Sequence, residues 1–186
     1  SIANAPHEGD TIELHVRHVA GGGFTSFVFD EMQNGAMLRC EGPLGTFVPR
    51  EDSERPLLMV AGGTGFAPIK ALIEHFRHLG SRRPITLYWG ARTARDLYLR
   101  ALPERWARDV SSFRFVSVLS DFEHAGAFRR GFVHEAVLED HGDLTGYEAY
   151  VCGAPVLVTK AKEAFGACGL PGAAFYSDAF AVTAAG

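Results

Sequence analysis

Long apolar runs are missing from this chain of 186 residues. None approaches the roughly 20 residues that a helix needs to cross a bilayer, so no membrane association is expected. The N-terminus shows neither a basic patch nor an apolar core, so it does not read as a secretory leader. Cysteine is scarce. Cys40, Cys152 and Cys168 lie too far apart for a disulfide framework or a zinc or cluster motif, and such spacing suits a reducing, cytoplasmic setting. Basic charge is not in excess either. With 18 Lys and Arg against 22 Asp and Glu, the net charge is −4, and no basic stripe offers itself to nucleic acid. The eight histidines form no metal motif. His134-Glu135 is followed by His141, which is not the i, i+4 pair of H-E-x-x-H. His75 and His78 share a helix face but lack a third ligand nearby, so no metal site is assigned.

What the chain does have is 47% hydrophobic residues at a mean hydropathy of +0.01, enough for one good core plus a small appendage. From Pro56 onward strands and helices alternate. LLMVAG (57–62), ITLYWGA (85–91), FRFVSVLSD (113–121), EAYVCGA (148–154) and AAFYSDAF (173–180) read as strands. Between them PIKALIEHFRHLG, DLYLRALPERWARD (interrupted at Pro103), VHEAVLED and VLVTKAKEAFGACG read as helices. This alternation predicts an α/β domain with a five-stranded parallel, doubly wound sheet. Its strands are near-continuous apolar runs, as strands buried on both faces are.

The first fifty residues differ. IELHVRHV alternates at period two, TSFVFDEM suggests a short helix, and MLRCEGPLGTF suggests another strand with a Pro-Gly turn. This reads as an antiparallel piece with one wet face. The charged REDSERP (50–56) reads as a linker, which divides the chain into residues 1–50 and 51–186.

In an open parallel sheet, ligands bind beyond the carboxyl ends of the strands. Those ends carry GGTG (62–65), GAR (90–92), SD (120–121) and CGAP (152–155). Glycines after the first strand let a phosphate reach the backbone, and the following helix start adds partial positive charge. Pro68 suits that helix's first turn. GGTG alone would equally serve an ordinary glycine-rich turn, and a cysteine at a buried strand end is commonly apolar filler.

Taken in order, GFTS (23–26), EGPLGTF, GGTGFAP, CGAP and FYSDAF resemble the ferredoxin–NADP reductase superfamily. The nearest type is the reductase components of aromatic-ring oxygenases and of CDP-deoxyglucoseen reduction. The likeness spans essentially the whole chain. It implies an FAD domain built as an antiparallel β-barrel, here partial, followed by the NAD(P) domain. It also implies passage of electrons from the nicotinamide of NAD(P)H through FAD to an iron–sulfur, oxygenase or dehydratase partner. A two-iron two-sulfur cluster would belong to an upstream domain. Because Ser1 matches the last residue of the family's R-x-Y-S flavin motif, the chain is read as a fragment that starts inside the FAD domain.

Position by position, the resemblance places Ser1 by the flavin and Gly23, Phe24, Thr25 and Ser26 at the FAD pyrophosphate. It places Gly63, Thr64, Gly65 and Pro68 along the NAD(P) pyrophosphate, and Cys152, Gly153 and Pro155 beside the nicotinamide. Phe180 becomes the aromatic that covers the flavin, with Ser177 and Asp178 as its polar neighbours. Catalytic roles fall to Cys152, Phe180 and Ser1. The tail AVTAAG (181–186) extends past the point where related chains stop. Asp121 suits the ribose hydroxyl of NAD, whereas Arg92 and Arg95 suit the extra phosphate of NADP; the balance favours NAD. Two rivals are a nucleotide-binding subunit without turnover of its own and a stand-alone flavin reductase. The latter is separated from a cluster-bearing reductase by a C-x4-C-x2-C set upstream.

Overall fold

The computed structural model describes residues 1–42, 44–121 and 126–180. The proline of EGPLGTF and the AVTAAG tail fall outside the described residues. The strands are β1 (Leu57–Gly62), β2 (Ile85–Ala91), β3 (Phe113–Leu119), β4 (Arg129–Arg130), β5 (Glu148–Gly153) and β6 (Phe175–Ala179). The helices used below are α1 (Gly23–Ser26), α2 (Phe66–His78), α3 (Ala101–Asp109), α4 (Val133–Asp140) and α5 (Pro155–Ala167).

All five expected strands form, and every pairing is parallel, in the order β4-β3-β2-β1-β5-β6. The sixth strand, β4, is two residues long. It lies in a stretch read from sequence as loop, since two residues are too few to show periodicity. The strands divide their side chains by parity. Leu57, Met59 and Ala61 pack with Phe66, Ile69, Ile73 and Phe76 of α2 and Trp106 of α3. Leu58 and Val60 pack on the other face with Val133 and Val137 of α4 and Ala161 and Phe165 of α5. Period-two alternation thus feeds two cores, which is why β1 carries no polar face.

Sequence punctuation sets the helix ends. Past α2, Gly80 takes φ +66 while its N–H bonds to Arg77 O and that of Ser81 to Phe76 O, each at 3.0 Å. Past α5, Gly169 takes φ +88 with the same pair of bonds from Gly169 to Gly166 and Leu170 to Phe165. Both are left-handed caps that side chains with a Cβ resist. Pro103 does not interrupt its helix. It is the third residue of α3, in the first turn, where no N–H is required.

The N-terminal segment departs from expectation. The described residues of IELHVRHV and MLRCEGPLGTF form no ladder; the only pairing recorded there is an isolated antiparallel bridge, Ile2 to Leu14. Ile12 and Met37 are 66% and 98% exposed. A strand is stabilised by a neighbour, and among the described residues these stretches have no partner strand. The expected short helix does form as Gly23–Glu31, with α-type turns through Ser26 and a π-type turn over Phe27–Glu31.

The REDSERP segment is held down. Arg83, 4% exposed, donates to Arg55 O at 2.7 Å and Arg50 O at 2.8 Å, and pairs with buried Glu148 at 2.6 Å. Tyr150 Oη accepts from Arg50 N at 2.9 Å. Every donor of this buried guanidinium group that is recorded finds an oxygen, which is the condition for burying a charge.

Candidate nucleotide site

The chain winds from β1 outward through β2 and β3 to β4, then returns to the other side of β1 for β5 and β6. The reversal falls between β1 and β5. At such a point the two crossovers leave in opposite directions and open a crevice past the strand ends. Here those ends are Gly62 and Gly153, followed by GGTG's last three residues and by Ala154-Pro155. Two sequence motifs 90 residues apart therefore share one edge.

Gly65 makes this possible. A Cβ on it would stand 2.2 Å from Cys152 O, so the turn leans directly on the end of β5. The turn is pinned from behind by Trp89, whose indole N–H donates to Gly63 O at 2.9 Å. Trp89 in turn stacks on Phe66, with ring centroids 3.9 Å apart. Pro68 sits in the first turn of α2.

A cavity of about 960 Å³ opens at this edge. Of the residues singled out in the sequence, Gly63, Thr64, Arg92, Pro155 and Phe180 line it, together with Arg95. Phe180 continues β6 by donating its N–H to Gly153 O at 2.9 Å, and its ring packs on the core. Cys152 lies beneath, fully buried, with Sγ donating weakly to Asp178 Oδ2 at 3.9 Å. Burial first, and then the Asp178 charge, push the thiol far above its usual range, so it is a neutral S–H and not a nucleophile. Ser1 is exposed and does not line the cavity.

The remaining residues lie elsewhere. Gly23, Phe24, Thr25 and Ser26 do not line the cavity, and the Thr25 hydroxyl is engaged by Val19 and by Gly22 O. Gly65, Pro68 and Gly153 support the walls rather than forming the surface. Asp121 is also behind the surface, but its N–H bonds to Arg92 O at 3.0 Å. The acidic and basic candidates for nucleotide selection are thus neighbours at the ends of β3 and β2.

Sequence reasoning missed several lining residues. Val16, Arg17, His18 and Phe29 bring the N-terminal segment over the sheet edge, and Arg17 Nη1 lies 3.9 Å from where a Gly63 Cβ would be. Lys160 also lines the cavity with Val156 and Leu157; the i, i+3, i+4 spacing on α5 was a signal available in the sequence. Arg17, Arg92, Arg95 and Lys160 set four cations against Asp96 and Glu135, and Asp96 is held by the Thr93 N–H and hydroxyl at 2.9 Å. On a chain of net charge −4, that local cationic excess suits an anionic ligand. His134 also lines the cavity, and burial holds its pKa below the usual value. Among the described residues no three His, Cys, Asp or Glu side chains cluster as metal ligands, and no helix is long and apolar enough to cross a membrane.

Residues 59–163 match the family described as Oxidoreductase NAD-binding domain, and residues 1–48 match Oxidoreductase FAD-binding domain. The chain is 41% identical over 180 residues to the CDP-6-deoxy-L-threo-D-glycero-4-hexulose-3-dehydrase reductase of Yersinia pestis, covering 97% of this chain and 54% of that protein. It is 38% identical over 187 residues to terephthalate 1,2-dioxygenase reductase component 1 of Comamonas sp., covering 100% and 55%. The chain thus spans about half the length of these curated relatives. Among solved structures, the Amycolatopsis cytochrome P450 reductase GcoB superposes with a TM-score of 0.90 at 34% identity, covering 97% of this chain and 55% of that one.

Proposed function

Since the chain belongs to the oxidoreductase NAD-binding domain family, we propose that it is the nicotinamide-binding part of an NAD(P)H-dependent flavoprotein reductase, with residues 1–50 contributing to an FAD domain and 51–186 forming the nucleotide domain. One observation carries this reading. The glycine turn and the CGAP segment converge at the reversal of the sheet around a cation-rimmed cavity of about 960 Å³, which is a fit for a dinucleotide.

When bound, the nicotinamide supplies a hydride and the flavin takes it up. The protein's part is to bind and orient. Gly63 and Thr64 bring backbone to the pyrophosphate, with Arg17, Arg92 and Lys160 supplying countercharge. Cys152 holds a neutral S–H below the strand end, and Phe180 covers the place where nicotinamide meets flavin. Ser1 and Gly23–Ser26 are the chain's contribution to FAD, the latter through the N–H groups of Gly23, Phe24 and Thr25 at the start of a helical run, that of Ser26 being bonded to Gly22 O at 2.9 Å. For the nucleotide we favour NAD, with Asp121 on the ribose hydroxyl and Arg92 directed to phosphate.

Electrons then pass to a protein partner of the oxygenase or dehydratase kind that the relatives' names describe. Three unpaired cysteines suit a cytoplasmic location. The test is anaerobic mixing of the FAD-loaded protein with NADH while visible flavin absorbance is followed. Bleaching faster with NADH than with NADPH is expected. A loaded protein that binds nucleotide but does not bleach is a binding subunit, and the reductase reading falls. Release of reduced flavin on gel filtration would instead favour a stand-alone flavin reductase.

A further inference from the structure

The cavity has two walls from opposite ends of the sequence. One is the sheet edge; the other is the N-terminal segment through Val16, Arg17, His18 and Phe29. Their separation is fixed by a contact between His15, behind the lining, and Tyr98, which itself lines the cavity. His15 Nδ1 meets Tyr98 Oη at 2.6 Å, and His15 Nε2 meets Glu13 Oε1 at 2.7 Å. Glu13 Oε2 accepts from Lys70 of α2 at 3.2 Å, and Lys70 also donates to Ala3 O at 2.9 Å and to Glu74 at 2.8 Å. The His15 side chain is only 9% exposed.

Proton roles follow from the partners. A carboxylate only accepts, so His15 Nε2 carries a hydrogen towards Glu13, and Nδ1 and the Tyr98 hydroxyl share the second bond. Hydrogen bonding to His15 helps hold Glu13 below the usual carboxylate range. Burial, and then the charge of Glu13, keep Tyr98 protonated. On its other side the Tyr98 ring meets Trp89 edge-on at 5.3 Å and Phe66 at 6.3 Å. Trp89 is the group that pins Gly63. An unbroken set of contacts therefore runs from the nucleotide turn to Ala3, two residues from Ser1.

We propose that His15 and Tyr98 are positioning residues, a single hydrogen-bonded pair that sets the gap between the flavin-side segment and the nicotinamide turn. This rests on the reductase reading above. Hydride transfer depends steeply on the approach of the two rings, and a shift of about 1 Å can cost up to a hundredfold in rate. The bond between His15 and Tyr98 is made within the protein, and Tyr98→Phe removes it while keeping the ring that lines the cavity. Its loss should therefore alter transfer and leave nucleotide affinity alone.

The test compares Tyr98→Phe, His15→Gln and the double variant. In the FAD-loaded protein with NADH, the limiting rate of flavin bleaching is expected to fall about tenfold in each, with half-saturation by NADH within about twofold. The double variant should be no slower than His15→Gln alone, because the bond that Tyr98→Phe removes is already lost when His15 is replaced. In protein without cofactors, amide exchange at Ala3, whose N–H bonds to Glu13 O at 2.8 Å, should quicken in all three. Unchanged bleaching rates, additive losses, a loss confined to half-saturation, or unchanged exchange at Ala3 would each overturn the proposal. A wild-type protein that fails to bleach refutes the reductase reading instead, and it does so without reference to the variants.

Discussion

Gly65 rests against the carbonyl oxygen of Cys152, so close that a Cβ on Gly65 would stand 2.2 Å away. This contact joins the turn after β1 to the end of β5, and the nucleotide site depends on it. Backbone meets backbone here, so no flexible side chain can yield. We expect Gly65→Ala to part the two strand ends, destabilising the protein by about 1–3 kcal/mol and weakening NADH binding at least tenfold. Urea unfolding and nucleotide titration measure the two effects. By contrast, a Cβ at Gly62 would meet mainly the end of the Leu157 side chain, and Gly62→Ala should be milder.

Lys160 reaches the cavity from the first turns of α5. It pairs with Glu163 at 3.6 Å, both exposed, so its removal should cost little stability. Lys160→Ala is expected to weaken NADH binding by about 1 kcal/mol, roughly fivefold. The salt dependence of binding should become shallower at the same time, because one cation no longer lines the cavity. Titrations at two ionic strengths check both.

Cys152 and Cys40 should differ sharply in reactivity. Cys40 is exposed and Cys152 is fully buried. Burial, reinforced by Asp178, keeps the Cys152 thiol protonated well above neutral pH, and the thiolate is the reactive form. At pH 8 an alkylating reagent should modify Cys40 first and Cys152 only after unfolding in urea, as mass spectrometry would show.

Asp140 links α4 to the sheet. Its carboxylate accepts from Tyr88 Oη at 2.8 Å and pairs with Arg129 at 2.9 Å and Arg114 at 3.1 Å. Burial alone would raise its pKa, but hydrogen bonds from Arg129 and Tyr88 and the charges of Arg129 and Arg114 outweigh it, leaving the carboxyl below its ordinary value. A folded-state pKa that is depressed gives stability above the unfolded value of about 3.9 and loses it as pH falls through the folded value. The deficit of Asp140→Asn relative to wild type should therefore be flat from about pH 5 to 7 and shrink below about pH 4. Urea midpoints across that range test it.

The sequence by itself determined the α/β domain. Apolar runs of five to seven residues, punctuated by Gly80 and Gly169 in left-handed caps, left few other arrangements, because both signals are local and rest on backbone sterics and burial. GGTG and CGAP were likewise legible, since glycine near a strand end marks a close approach. Pro103 misled as an interruption because its position relative to the start of α3 depends on where the helix packs. The isolated bridge from Ile2 to Leu14 shows the converse limit: alternation proposes a strand, but pairing requires a neighbour.

Tertiary structure alone decided which side chains reach the cavity. Arg17 and Lys160 lie 143 residues apart in the chain and belong to no shared motif, yet the reversal of the sheet and the fold-back of the N-terminal segment bring both to one rim. The same fold-back puts His15 on Tyr98, 83 residues away. Such contacts are set by where elements pack, and no local periodicity encodes them.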